Sequence, residues 1–193
     1  MTPGATKYAM PFNILDEIEE AAEKKHGRAS DEYRIWKALR YFGMHAICLY
    51  DPKSQLREFK KGGQSYVVWW RPMKGAKKNQ PGMWKKLPEY PKHKAVDFNV
   101  QELYEELRDR RRKTGYMYIY RTVSTLGRLA NVSDISPNTL RHNHLMYLLE
   151  VQKLPMKNAC DFLGCSVETG TKHYDAWGKQ TVEERLIASG EFR

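Results

Sequence analysis

A short run of strand-forming residues, Tyr66–Trp70, interrupts a chain whose apolar residues otherwise recur mainly at helical spacing. Aromatic and β-branched residues in succession indicate a strand, and Leu56–Phe59 forms a second such run. The sequence Lys60-Lys61-Gly62-Gly63 between them is typical of a turn. A third strand is predicted over Trp84–Leu87. The middle of the chain therefore predicts a small antiparallel sheet of two or three strands.

Helical patterns lie on both sides of this sheet. Residues 13–27 predict a short surface helix, and Ser30-Asp31 is a plausible start for a second helix that runs to Tyr50. The apolar side chains of that second helix are expected to point inward: Tyr33, Trp36, Leu39, Tyr41, Phe42 and Ile47. Further helices are predicted over 100–113, 115–130, 137–153, 156–163, 167–177 and 180–190. The predicted class is α+β, mainly α-helical with a small antiparallel two- or three-stranded sheet.

The net charge of +10 is concentrated in one segment of the chain. Between Arg57 and Lys94 there are eleven lysines and arginines against two acids, Glu58 and Glu89, a net charge of +9. Such a segment attracts polyanions, and the release of counterions from DNA makes binding depend steeply on salt. We expect a nucleic-acid partner. The alternatives are a solvated basic surface and a tail for an anionic membrane.

Composition restricts the setting in which the chain works. Its 193 residues suit one domain that can bury an ordinary core. Three cysteines form an odd, sparse set that suits reduced thiols. No apolar run approaches the roughly 18 residues of a membrane span, and the first ten residues lack the apolar stretch of a secretion signal. An intracellular protein without a membrane partner is expected.

Arg141 lies near the predicted start of a helix, where a positive charge is unfavourable. Ser136 followed by Pro137 marks a helix start, because serine caps free amides and proline suits the first helical position. Arg141 then lies one turn into the helix, in line with Leu145 and Leu148 on the buried side. The helix dipole disfavours a cation there, so we expect an anion such as phosphate to bind beside it. The alternative is an arginine paired with a core carboxylate.

Three motifs follow one another towards the end of the chain. Ser136–His142 is followed by Leu163-Gly164-Cys165-Ser166 and then by Lys172-His173-Tyr174. This order and spacing resemble the end of the catalytic domain of the tyrosine recombinases, the phage-integrase family. The order of helices and sheet resembles that domain as well. The resemblance implies a catalytic-like domain over residues 30–178, an N-terminal extension over 1–29 and a C-terminal helical tail over 179–193.

The resemblance implies a transesterification of DNA that needs no cofactor. Tyr174 would attack a backbone phosphate and leave a 3′-phosphotyrosyl link and a free 5′-hydroxyl. Because the new ester keeps the energy of the phosphodiester, rejoining needs neither ATP nor metal. Arg141 would contact the scissile phosphate. Lys74, or Lys77 in its place, would lie in the hairpin turn and give a proton to the leaving oxygen.

Three expected catalytic positions depart from the family pattern. An arginine is expected after Gly43-Met44, where this chain has His45. The position three before Arg141, usually histidine or lysine, is Asn138, and the histidine or tryptophan of the Leu-Gly turn is Cys165. Loss of one preorganised donor typically costs about 3–4 kcal/mol of transition-state stabilisation. The resemblance therefore implies an altered site and leaves open whether the chain is an active enzyme.

The partners follow from the same resemblance. It implies double-stranded DNA as substrate, a role in recombination or integration of a cellular or viral mobile element, and homo-oligomers, usually tetramers. Apolar side chains near the C-terminus are candidates for contacts between copies: Leu186, Ile187 and Phe192. The basic residues expected to bind the DNA backbone are Lys60, Lys61, Arg71, Lys77, Lys78, Lys85 and Lys86.

Several alternatives stay open beside this interpretation. The chain would be a catalytically inactive DNA-binding relative if His45 ends the chemistry, and Tyr174 would then be a packing residue. An RNA-binding domain would use Trp69, Trp70 and Trp84 as stacking platforms. A zinc site is disfavoured because the spacing of its possible ligands fits no zinc pattern: His142, His144, Cys160, Cys165 and His173.

Overall fold

The computed structural model describes residues 10–49, 105–106, 117–175 and 178 with their side chains, and three strands by their backbone. Its elements are α1 (Phe12–His26), α2 (Asp31–Phe42), a 3-10 turn (Ala46–Leu49), β1 (Gln55–Lys61), β2 (Gln64–Arg71), β3 (Met83–Lys86), α3 (Met117–Leu129), α4 (Pro137–Met146), a π-helical turn (Tyr147–Val151), α5 (Met156–Leu163) and α6 (167–175). None of the helices within these ranges is long and apolar enough to cross a bilayer.

Helix α2 begins where the sequence predicted and ends sooner. The hydroxyl of Ser30 accepts a hydrogen bond of 3.2 Å from the amide of Tyr33, which confirms the predicted start. Gly43 then ends the helix, because it adopts a left-handed conformation with φ of +56° and donates its amide to Leu39. The predicted continuation to Tyr50 is therefore wrong. Ile47 was expected to point inward, but it lies in the 3-10 turn and is 56% exposed.

The described core consists of two apolar clusters. The first cluster joins α1, α2 and α3 with the residues next to them, and Trp36, Leu39 and Phe42 are among its largest buried side chains. Helix α1, within the predicted N-terminal extension, contributes Leu15, Ile18 and Ala22. The second cluster is smaller and joins the end of α4 to α5: Leu145, Met146, Leu148, Ala159, Cys160 and Leu163. Helix α4 therefore connects the two clusters.

The predicted α+β class is corrected by this packing. Helix accounts for 77% of the residues whose side chains are described, and no strand occurs among them. The reason is that the described core residues come from helices and the turns beside them, so packed helices close the core without a sheet face. This packed part of the chain is α-helical.

The strands are antiparallel neighbours in the order β1-β2-β3. Their register aligns Arg57 with Val68 and Val68 with Lys86. Lys60 and Lys61 pair with Ser65 and Gln64, so both lysines belong to β1 and not to the turn in which the sequence placed them.

A charged network joins α1 to α2. Arg40, 8% exposed, donates to the carboxylates of Asp16 and Glu19 at 2.7 and 2.8 Å and to the carbonyl of Leu15 at 3.1 Å. Lys37 and the hydroxyl of Tyr41 also approach Glu19. Burial raises the pKa of Tyr41, so its hydroxyl stays protonated and able to donate. The Arg40 guanidinium therefore joins α2 to α1 through these hydrogen bonds.

Candidate functional site

Arg141 lies at the point where α2, α4 and α5 meet. It belongs to the first turns of α4, which begin with a capping box: the Ser136 hydroxyl accepts from the Thr139 amide, and the Thr139 hydroxyl accepts from the Ser136 amide. This start and the burial of Arg141, which is 6% exposed, confirm the predicted helix geometry. Its guanidinium donates one bond of 2.8 Å to the carbonyl of Gly43 and another of 2.7 Å to that of Leu163.

Both acceptor carbonyls lie at the C-terminal ends of helices. Gly43 caps α2, and Leu163 is the last residue of α5. A helix carries a partial negative charge at its C-terminus, so two such ends favour a cation between them. The fork of a guanidinium suits this position because it can donate in two directions at once. Two helix ends therefore stabilise a charge that the N-terminus of α4 alone would disfavour.

These hydrogen bonds bring three of the predicted segments together. His45 follows Gly43 by two residues and is half-buried. Cys165 follows Leu163 by two residues, after Gly164 has ended α5 in a left-handed conformation with φ of +69°. Asn138 is exposed on the first turn of α4, three residues before Arg141. The Gly-Met-His, Arg141 and Leu-Gly-Cys motifs thus converge although 98 and 22 residues separate their ends.

The side chain on α6 that lies beside Arg141 is His173. Its ring stacks on that of His142 with centroids 3.8 Å apart and planes inclined by 31°. Burial, and then the positive charges of Lys172 and Arg141, lower the pKa of His173. This residue is half-buried, and it was not among the predicted site residues.

Tyr174, the predicted nucleophile, is directed to a different neighbour. Its side chain is 37% exposed, and a hydrogen bond with Glu150 of the π-helical turn raises its pKa, as do the charges of Glu150 and Asp175. Successive helical residues are about 100° apart around the axis, so α6 cannot turn His173 and Tyr174 to one point together. In this structure His173 is on the Arg141 side.

Three basic side chains lie close in sequence to the altered positions His45 and Asn138: Arg40, His142 and His144. Arg40 holds α1, as described above. His144 is 1% exposed, and its Nδ1 donates 3.2 Å to the carbonyl of Arg40. The His144 ring packs on Gly43, where an added Cβ would lie 2.6 Å from it. Of these residues, His142 is the one that lies at the Arg141 site, through its stack on His173.

The thiols of Cys160 and Cys165 lie near the end of α5. Burial, and then the neighbouring Cys165, raise the pKa of Cys160 to about 11, so this thiol is protonated at neutral pH. The Cys165 thiol donates weakly, at 3.8 Å, to the carbonyl of Cys160. In the described ranges, no three His, Cys, Asp or Glu side chains are grouped as ligands for a metal ion.

The predicted basic residues are only partly within the described chain. Lys60 and Lys61 lie on β1, Arg71 ends β2, and Lys85 and Lys86 lie on β3, all by backbone position. Lys74, Lys77 and Lys78 are outside the described residues. Their predicted roles stay predictions.

A solved structure has a fold similar to that of this chain. The crystal structure of the XerA recombinase matches this chain with a TM-score of 0.58 and 15% sequence identity. The chain has a recombinase-like fold. The match covers 98% of this chain and 65% of the XerA chain, so this chain spans less than two thirds of that recombinase. No family model and no curated protein matches the sequence.

The site residue that sequence reasoning missed is His173. Within the Lys172-His173-Tyr174 motif, Tyr174 was the predicted site residue because a tyrosine completes the recombinase pattern. The sequence held no signal that favours His173 over Tyr174, because the two are adjacent residues of one helix. Gly170 lets α6 pack closely on α5, since an added Cβ there would clash with the thiol of Cys160.

Proposed function

We propose that the chain is a recombinase-like protein that binds duplex DNA and cuts and rejoins its strands through Tyr174, in recombination or integration. The observation that carries this proposal is the convergence of three separate motifs on the Arg141 guanidinium. The recombinase-like fold and the basic segment between Arg57 and Lys94 support it. Assembly on DNA as a homo-oligomer, and backbone contacts from the lysines and arginines of the strands, belong to the same proposal.

The proposed reaction is an exchange of one phosphate ester for another. The Tyr174 oxygen gives its proton to solvent water and bonds to phosphorus, and the bond from phosphorus to the 5′-oxygen breaks. The leaving 5′-oxygen takes a proton from Lys74, and a 3′-phosphotyrosine remains. The reverse attack by a 5′-hydroxyl restores the strand and frees the tyrosine. Arg141 would stabilise the charge on the phosphate during both steps.

Two properties of the site indicate that cutting would be slow. His45 replaces an arginine, and an imidazole lacks the permanent charge and the two-pronged donor of a guanidinium. Tyr174 must also leave Glu150 and turn towards Arg141, which requires a rearrangement of α6. While it remains beside Glu150, its raised pKa makes the phenol harder to ionise.

A second candidate is a DNA-binding relative that does not cut. The specific observation in its favour is the pairing of Tyr174 with Glu150, because a carboxylate beside a nucleophilic phenol opposes both ionisation and approach to a phosphate. In this candidate Arg141 and the basic strands bind the backbone, and Tyr174 has no chemical role.

Recovery of protein-linked DNA under denaturing conditions distinguishes the two candidates. Cells that express the chain are lysed in detergent, and DNA that remains attached to the protein is sequenced. Adducts that are present in the wild type, absent in Tyr174→Phe and retained in Tyr147→Phe would support strand cutting by Tyr174. Tyr147 is a matched control because it lies in the neighbouring π-helical turn. Native DNA binding without any adduct would favour the second candidate, and absence of binding would refute both.

A further inference from the structure

The His142–His173 pair lies beside the phosphate site without a role in the proposed reaction. The two ring centroids are 3.8 Å apart, closer than the 4.5–7 Å usual for aromatic pairs. Neutral imidazole rings can stack at this distance, but two imidazolium ions would repel each other. The protonation of either ring therefore depends on the charges around the pair.

The charges that act on His173 are positive: Arg141 on α4 and Lys172 beside it on α6. The ring of His142, also on α4, is in contact with it. The thiol of Cys160, on α5, carries no charge at neutral pH because its pKa is about 11. His45 and Cys165 are further titratable residues near the site, each two positions beyond a carbonyl that Arg141 binds. An anion placed here would therefore meet the charges of both Arg141 and Lys172.

We propose that His173, supported by His142, is a proton-linked phosphate ligand at the Arg141 site. In the free protein its ring is neutral. When a backbone phosphate of duplex DNA binds at Arg141, the negative charge makes protonation of His173 favourable, and the imidazolium donates to a phosphate oxygen. One proton is taken up from solvent for each bound site. This inference rests on the proposed binding of DNA but not on strand cutting.

The proposal fixes the sign of a pH dependence. The pKa of His173 is lowered in the free protein by burial, Lys172 and Arg141, and a neighbouring anion raises it in the complex. Between these two values the complex binds more protons than the free protein, so affinity rises as pH falls. One linked proton can change the dissociation constant by at most about tenfold per pH unit.

The test measures affinity for one duplex DNA at constant salt between about pH 8 and about pH 6, close to the unperturbed histidine pKa. For the wild type we expect tighter binding at the lower pH, and for His173→Gln a much flatter profile. His26→Gln, at the end of α1, is the matched control and should keep the wild-type profile. A His173→Gln profile as steep as that of the wild type would overturn the proposal.

Calorimetry provides a readout that a merely structural role of His173 would not change. Titrations near pH 7 in two buffers with different ionisation enthalpies report the protons taken up on binding. We expect uptake by the wild type that is lost in His173→Gln and reduced in His142→Gln. Binding without proton uptake would reject this inference and leave the proposed function intact. Proton-linked binding without adducts would retain the inference and reject strand cutting, and no DNA binding would reject both.

Discussion

The guanidinium of Arg141 donates a 2.8 Å hydrogen bond to the carbonyl of Gly43, 98 residues earlier in the chain. A second bond of 2.7 Å reaches Leu163, at the other side of the site. These bonds make Arg141 a structural tie between α2 and α5 as well as a candidate phosphate ligand. An experiment on Arg141 must therefore separate a loss of folding from a loss of binding.

Arg141→Ala is expected to lower the free energy of unfolding by about 2–4 kcal/mol, because it removes two charge-assisted hydrogen bonds from a buried place. Urea denaturation measures this change. Arg121→Ala, on the exposed face of α3, is the matched control and should stay within about 0.5 kcal/mol of the wild type. If Arg141→Ala changed the free energy of unfolding as little as this control, the two hydrogen bonds of Arg141 would contribute little to stability.

Arg141→Lys keeps a charge at the site but removes the two-pronged donor. We expect it to bind DNA through the basic strands with reduced affinity and to form no adduct, since a lysine cannot bond both helix ends and a phosphate together. Gel-shift titrations on folded protein, beside adduct recovery, would show this. Adduct yield equal to that of the wild type would contradict the placement of the site at Arg141.

Arg40→Ala should destabilise the chain by about 1–3 kcal/mol, because it removes the hydrogen bonds that join α2 to Asp16 and Glu19, although Glu19 keeps Lys37 and Asp16 is partly exposed to solvent. Affinity for DNA, measured at a temperature where the variant remains folded, is expected to be unchanged. A folded Arg40→Ala protein with much weaker DNA binding would show that Arg40 supplies the charge missing at His45.

Gly170→Ala is expected to destabilise the contact between α5 and α6. The new Cβ would clash with the thiol of Cys160 and come within 3.1 Å of the sulfur of Met156. Cys160→Ala should recover part of the loss in the double variant, because it removes the clashing atom. Thermal unfolding of the two single variants and the double variant measures this coupling, and Gly178→Ala, where the added carbon meets open space, is the control. Purely additive effects would argue against the packing.

Glu150→Gln should lower the pKa of Tyr174 towards its ordinary value, since it removes the carboxylate that raises it. The change can be followed by the absorbance of ionised tyrosine, with Tyr174→Phe to assign the signal. If Tyr174 cuts DNA, the same variant should increase the yield of adduct at a given pH. Glu168→Gln, exposed on α6, should change neither quantity. A Tyr174 pKa that is the same in Glu150→Gln and the wild type would refute the pairing.

Local chemistry made much of the helical framework predictable. Ser30 and Ser136 cap their helices as serine commonly does, and α5 occupies the predicted residues 156–163. The end of α2 was missed because an apolar pattern continues past Gly43, although a left-handed glycine is a common local end of a helix. The expected α+β class was wrong because strand propensity does not report whether a sheet takes part in the packed core.

The arrangement of the site was harder to predict than its members. Arg141 could be identified from a helix start and an apolar stripe, but its bonds to Gly43 and Leu163 depend on how distant helices end. Nor does the sequence distinguish His173 from Tyr174 as the group facing Arg141. A rotation of α6 by about 100°, the angle between successive residues, would exchange the two side chains. The packing of α6 on its neighbours therefore determines which of them faces Arg141.

The unequal size of the two apolar clusters has a consequence for hydrogen exchange. Amides of α1 to α3 are held by the larger cluster and should exchange only when most of the domain unfolds. Those of α5 and α6 depend on the smaller cluster and should exchange through partial opening. The end of the chain that carries His173 and Tyr174 would then rearrange while the rest stays folded. That is the freedom that α6 needs to exchange one of these side chains for the other.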